Sequence, residues 1–273
     1  MLLLGCGCLL TATAQTLPGW KLVWADEFSQ ADGGAPDSSK WGYEIGGSGW
    51  GNNELEYYTS RTNNARIEHG QLVIEARQEN FSGKNYTSAR LLTKGKWSWT
   101  YGRMEARIQI PRGQGIWPAF WMLGDNIDSV RWPTCGEIDI MENIGAETNI
   151  VHGTIHGPGY SDDSAIGGPC KLPGTAFADD FHVYAVEWET NRIRWFMDGQ
   201  PYFTATPASL PHGTAWVFHQ PQFLIMNLAV GGNWPGKPNS STAFPQRMLV
   251  DYVRVYTATN SPSTNSARVA GRK

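Results

Sequence analysis

Short runs of alternating apolar and polar residues fill the chain between Trp20 and Tyr256, each closed by Gly, Pro, Asn or Asp. Leu72 to Arg77, Arg103 to Ile110, Val183 to Trp188, Arg192 to Met197, Phe223 to Val230 and Leu249 to Tyr256 carry this pattern. A period of two places successive side chains on opposite faces, so these segments are predicted strands. Asp198-Gly199, between the Arg192 run and Tyr202-Phe203, predicts a hairpin. Both residues of a tight two-residue turn need positive φ, which Asp and Gly supply at low cost. Helical periodicity beyond three turns is absent, so the predicted class is all-β, a sandwich or jelly roll with long loops in the first half.

No internal repeat and no shift of composition divides the body, which is expected to be one domain over residues 15–256. All-β units of this size are common. Apolar residues at 41% against 17% charged suit a chain with a sizeable core rather than a disordered one. No stretch of eighteen apolar residues is present, so no helical membrane span is expected. The 22 basic and 25 acidic residues are spread, leaving no basic footprint for nucleic acid. Thirteen tryptophans and ten tyrosines point instead to a neutral partner, because flat rings with a polar edge stack on sugar faces. A monomer is expected.

Both ends differ from the body. Residues 1–14 are uncharged, run apolar from Leu2 to Leu10 and end in Ala12-Thr13-Ala14 before Gln15, the form of an export signal lacking its usual basic start. A secreted protein is the first reading. Leu4-Gly5-Cys6 weakly resembles a lipoprotein processing site, and anchoring through Cys6 is the second reading. In either case Cys135 and Cys170 remain, and one disulfide between them is expected in an oxidising compartment. Residues 257–273 are rich in Thr, Ser and Asn and carry Arg268, Arg272 and Lys273, which predicts a disordered tail or linker. Without those three charges the formal net charge falls from -3 to -6, again disfavouring a polyanionic substrate.

The chemistry is concentrated in Glu137-Ile138-Asp139-Ile140-Met141-Glu142. Alternation puts Glu137 and Asp139 on one face and Glu142 on the other, unless a β-bulge near Ile140 or Met141 takes up one residue. With the bulge, three carboxyl groups share a face. Such a row raises at least one pKa and destabilises the fold, so use or compensation is implied. A retaining glycosidase uses two carboxyls about 5 to 5.5 Å apart, one as nucleophile and one as acid. Strand spacing of roughly 3.3 Å per residue separates the two glutamates further, so long side chains on a bent strand must close the gap. Asp139 is placed to orient Glu137, and the neighbouring charges keep Glu142 protonated. Two other readings stand beside this one: a solvated acidic edge strand, and a metal site that adds His152 and His156, four apart on one face.

At these residues the sequence resembles glycoside hydrolase family 16, in its laminarinase-like branch. The resemblance extends over Trp24-Ala25-Asp26-Glu27-Phe28, Gly49 to Thr59, Tyr101 to Arg107, Gly115 to Met122 and Asp251 to Tyr256, in this order around the acidic strand. It implies a β-jelly roll of two antiparallel sheets with a concave cleft for an extended β-glucan, hydrolysed with retention and without a catalytic cofactor. It further implies Glu137 as nucleophile, Asp139 as assisting acid and Glu142 as acid/base, with Trp117 and Trp121 as ring platforms. Asn52, Glu54, Arg90, His156, Asn227 and Trp234 fall in segments that line the family's sugar sites; Arg90 and Glu54 could instead pair with each other. Glu27, the backbone of Gly70 and Asp251 match the positions of a structural calcium in the family, or are plain surface charges. β-1,3-Glucan is the expected substrate. Mixed-linkage β-1,3/1,4-glucan or a galactan such as agar is the enzyme alternative, although few basic residues beyond Arg90 and Arg131 are available to meet sulfate. A non-catalytic glucan-binding protein is the remaining alternative.

Overall fold

Strands with one apolar face must cover it, and two sheets packed face to face do so around a common core. The computed structural model describes residues 17–259. Its strands in chain order begin with β1 (Trp20–Asp26), β2 (Gly42–Glu44), β3 (Glu56–Tyr58), β4 (Ala65–Glu68), β5 (Gln71–Phe81) and β6 (Lys84–Ser88). They continue with β7 (Arg90–Leu92), β8 (Gly102–Gln109), β9 (Ile116–Gly124), β10 (Glu137–Glu142), β11 (Ile150–His156) and β12 (Ile166–Lys171). The last are β13 (His182–Glu189), β14 (Arg192–Met197), β15 (Gln200–Ala205), β16 (Gln222–Val230) and β17 (Gln246–Ala258).

One sheet has ten strands in the order β15-β14-β13-β8-β17-β5-β6-β3, with β1 on β17 and β4 on β5. The other has seven, in the order β12-β11-β10-β9-β16-β7-β2. Pairing is antiparallel throughout except for β3 with β6. Between the sheets lie Met104, Ala106, Val186, Val253 and Val255 from the larger one, against Phe120, Met122, Ile138, Met226 and Leu228 from the smaller. On β9 this leaves Trp117, Ala119, Trp121 and Leu123 on the outer face, as strand alternation requires.

All six runs singled out by periodicity fall on strands, with Ile110 one residue past the end of β8. The turn joining β14 to β15 has φ of 49° at Asp198 and 77° at Gly199, the left-handed pair that the dipeptide predicts. Two expectations change. The last strand continues two residues past Tyr256, because Thr257 and Ala258 pair with Lys21 and Trp20. The expected Cys135–Cys170 disulfide does not form: both are free buried thiols. Cys135 packs with Leu92, Leu123, Phe223 and Ile225 in a small cluster, whereas Cys170 belongs to the main core, so the fold holds the two sulfurs in separate environments. The expected export signal and Cys6 lie outside the described residues, as does the tail beyond Thr259.

Candidate active site

The bulge foreseen in the acidic strand is present. Against β9, Asp139 pairs with Trp121 but Met141 pairs with Phe120, so Ile140 is the extra residue. Glu142 is thereby returned to the outer face with Glu137 and Asp139, while Ile138, Ile140 and Met141 enter the core.

Each end of the acid row has its own partners. At the first end, Trp132 donates Nε1–H to Glu137 Oε2 at 2.9 Å. His156, opposite Glu137 on β11, places Nε2 3.1 Å from Asp139 Oδ2 and 3.8 Å from Glu137 Oε1. At the second end, Trp117 donates Nε1–H to Glu142 Oε1 at 3.1 Å. Its ring meets Trp234 edge-on at 5.6 Å, and Trp234 meets His152 at 5.1 Å. Trp132 at 39% exposure and Trp234 at 42% are large apolar surfaces left open to solvent at opposite ends of the row.

Burial is the main electrostatic influence here. It pushes Glu137 up to about 8, helped by the charge of Asp139 and opposed by His156, the Trp132 N–H and Arg90. Burial likewise raises Asp139 to about 8. Glu142 is held well above the usual carboxylate range by burial and by Asp139 and Glu137, with His156 and the Trp117 N–H opposing. Three adjacent charges are therefore not sustained at neutral pH, and Glu142 is suited to keep the proton. Glu137 has the larger set of groups favouring its anion.

A hydrogen-bonded chain with a fixed direction borders the row. Trp121 donates Nε1–H to Asn227 Oδ1 at 2.8 Å, Asn227 donates to the Tyr58 hydroxyl at 3.2 Å, and Tyr58 donates to Glu54 Oε2 at 2.9 Å. Asn52 donates to the other Glu54 oxygen at 3.4 Å. Beside it Glu56 is fully buried, and its carboxyl is held well above the usual carboxylate range chiefly by that burial and by the charge of Glu54. Arg90 does not pair with Glu54. Its Nε lies 2.5 Å from Glu44 on the neighbouring strand β2, and its guanidinium is stacked on Trp121 at 4.7 Å and Trp50 at 5.1 Å.

The structure thus gathers Glu137, Asp139, Glu142, Trp117, Trp121, His156, Asn227, Trp234, Asn52, Glu54 and Arg90 around one sheet face. Trp121 has one face covered by Arg90, and the most open rings are Trp132 and Trp234. Trp132, Tyr58 and Glu44, which the sequence reading did not single out, border the same face, as does His152. Only their proximity in the sheet reveals them; Trp132 lies in a loop with no periodic signal.

The metal readings fare differently. Donor atoms of Glu137, Asp139 and His156 lie within 4.8 Å of one another, but His152 does not join them and lies 3.6 Å from Glu147. The calcium expectation is not supported by the residues' partners. Glu27 accepts two hydrogen bonds from Arg254, at 2.8 and 2.9 Å, and Asp251 accepts one from Arg107 at 2.9 Å. Both carboxylates face guanidinium groups in this arrangement, so a cation held by them with the Gly70 carbonyl would have to share or displace those arginines.

The profile described as Glycosyl hydrolases family 16 matches residues 52–254, a span that includes the whole acid row and both flanking tryptophans. The chain belongs to this family. It is 48% identical to a beta-glucanase of Rhodothermus marinus, over 93% of this chain and 91% of that one. The laminarinase catalytic domain of Thermotoga maritima superimposes with a TM-score of 0.84 at 50% identity, covering 88% of this chain and 99% of that one. An endo-β-1,3-glucanase of Pyrococcus furiosus gives a TM-score of 0.85 at 47% identity, covering 89% and 96%. Family 16 membership makes the chain a glycoside hydrolase.

Proposed function

We propose that this chain is a secreted, monomeric endo-hydrolase of β-1,3-glucan that retains anomeric configuration. The observation that carries the reading is the bulged strand, which places Glu137, Asp139 and Glu142 on one face between two open tryptophan rings. Glu137 attacks the anomeric carbon as its carboxylate. The glycosidic C–O bond breaks as Glu142 gives its proton to the leaving oxygen, and the sugar is left as an ester of Glu137. Water then adds to that carbon, passing a proton to Glu142 as the ester bond breaks, and both groups return to their starting states. Asp139 and His156 steady Glu137 as its charge appears and disappears. No cofactor enters either half.

Trp132 and Trp234 suit stacking on glucosyl units on the two sides of the cleaved bond. Of Arg90 and Arg131, Arg90 is committed to Glu44 and two indole rings, which leaves Arg131 to meet a sulfated galactan. Product analysis on laminarin, mixed-linkage β-glucan and agarose tests the reading. Early mixed oligosaccharides from laminarin, slower attack on mixed-linkage glucan and none on agarose are expected. Preferred attack on either of the other polymers would reassign the substrate, and binding without cleavage would make the chain a glucan-binding protein.

A further inference from the structure

The whole placement of Glu142 depends on one irregularity. Register slips between Asp139 and Met141 against β9, and between Asp139 and Glu142 against β11. Without that slip the period of two would send Glu142 toward the core. A bulge also disturbs the ladder, so a backbone group at the slip needs a partner from elsewhere.

That partner comes from the other sheet. Trp195 of β14, fully buried in the core, donates Nε1–H to the Asp139 carbonyl oxygen at 2.7 Å. Space for the indole is provided on β11. There Thr154 pairs with Asp139 and His152 with Glu142, so the residue facing the slip is Gly153. A Cβ at Gly153 would lie 2.3 Å from Trp195 Cδ1 and 2.6 Å from Nε1, closer than any two such atoms pack. The bulge, the cross-sheet hydrogen bond and the missing side chain are three separate features that meet at one point.

We propose that Trp195, seated in the gap left by Gly153, is the positioning residue that holds the β10 bulge and so sets Glu142 against Glu137. It touches no sugar and acts through the Asp139 carbonyl. Glu137 lies before the slip, in register with Leu123 and His156, whereas Glu142 lies after it. Loosening the bulge therefore displaces the acid more than the nucleophile, and the loss falls on proton transfer to the leaving group. This inference rests on the roles given to Glu137 and Glu142 above.

The test compares Trp195→Phe, which removes the N–H and keeps a ring, with Gly153→Ala, which keeps the N–H and displaces it. For each, kcat/KM is measured on laminarin and on a laminarioligosaccharide bearing a 2,4-dinitrophenyl leaving group, which departs without a proton. Misplacement by about an ångström costs roughly 10- to 100-fold, so kcat/KM on laminarin should fall by that amount in both variants. On the dinitrophenyl substrate the loss should stay below about threefold, because nucleophilic attack is spared. The ratio between substrates does not depend on how much of a variant is folded. Equal losses on both substrates, or an unchanged ratio with only a lower Tm, would make Trp195 an ordinary core residue and overturn the inference. A wild-type chain inactive on both substrates would instead overturn the catalytic reading.

Discussion

Buried carboxylates occur on both sheets, and the two sets are treated in opposite ways. On the larger sheet, Glu75 is 1% exposed and lies against Arg66, Arg77 and Arg247, while Glu105 and Glu187 share Arg103, with Arg194 also on Glu187. On the smaller sheet, Glu137, Asp139 and Glu142 are packed into the outer face, yet their close partners are two indole N–H groups and one imidazole. Among the described residues no Lys or Arg forms an ion pair with any of the three. Arginine partners offset the cost of burying a carboxylate's charge. Withholding them drives proton affinity up, which is the condition an acid catalyst needs. Neither burial nor the lack of a basic partner marks a site by itself, since Glu56 on β3 of the larger sheet is buried with no Lys or Arg ion pair among the described residues; the row is set apart by three such carboxyl groups side by side on one outer face.

The sharpest way to break this contrast is to remove one acid from each set. Glu137→Ala should lower hydrolysis of laminarin by about 10⁴-fold or more, with folding and glucan binding kept, because its carboxylate acts at the bond. Activity near wild type, measured as reducing-end release, would end the assignment. Glu142→Ala should lose about 10²- to 10³-fold on laminarin, keep most of its kcat/KM on a dinitrophenyl substrate and recover turnover with azide as the glycosyl azide. Absence of both forms of rescue would reassign Glu142.

Stability should divide the sets in the other direction. Glu137 has a folded-state pKa raised from the usual 4.5 to about 8, so it stabilises the fold only at low pH. As pH rises from about 4.5 through 8, the unfolded chain loses its proton first and the native state loses ground. Each tenfold rise in proton affinity is worth ~1.4 kcal/mol, so a rise from 4.5 to about 8 makes Glu137→Gln more stable than wild type by on the order of 4 kcal/mol at pH 8, with the gap narrowing toward pH 5 in urea titrations. A pH-independent gap would mean the row is not proton-linked. The smallest effect is expected from Glu75→Gln, which leaves three arginines short of an acceptor. A loss of about 1–2 kcal/mol is expected, since two of those arginines are well exposed, with kcat/KM unchanged. A substantial fall in kcat/KM would show that the two sheets are coupled.

Several features were legible in the chain because their causes are local. Alternation located the strands, Asp198-Gly199 located a hairpin, and the spacing of Glu137, Asp139 and Glu142 conflicted with a period of two in a way only a bulge resolves. The partners were not legible. Pairing Arg90 with Glu54 and joining Cys135 to Cys170 were both reasonable from residue type, and both failed because sheet order sets Arg90 beside Glu44 and puts the sulfurs in separate clusters. Arginine, likewise, meets the two carboxylates that family resemblance assigned to calcium.

By itself the sequence determined the class of fold, the candidate carboxylates and the need for a bulge, since each follows from neighbours within a few positions of one another. Only the tertiary structure decided what holds the bulge and what surrounds the acids. Trp195 reaches Asp139 from 56 positions away, and Asn227 reaches Tyr58 from 169. Contacts of that range are chosen by how two sheets stack, and no short-range pattern of side chains encodes them.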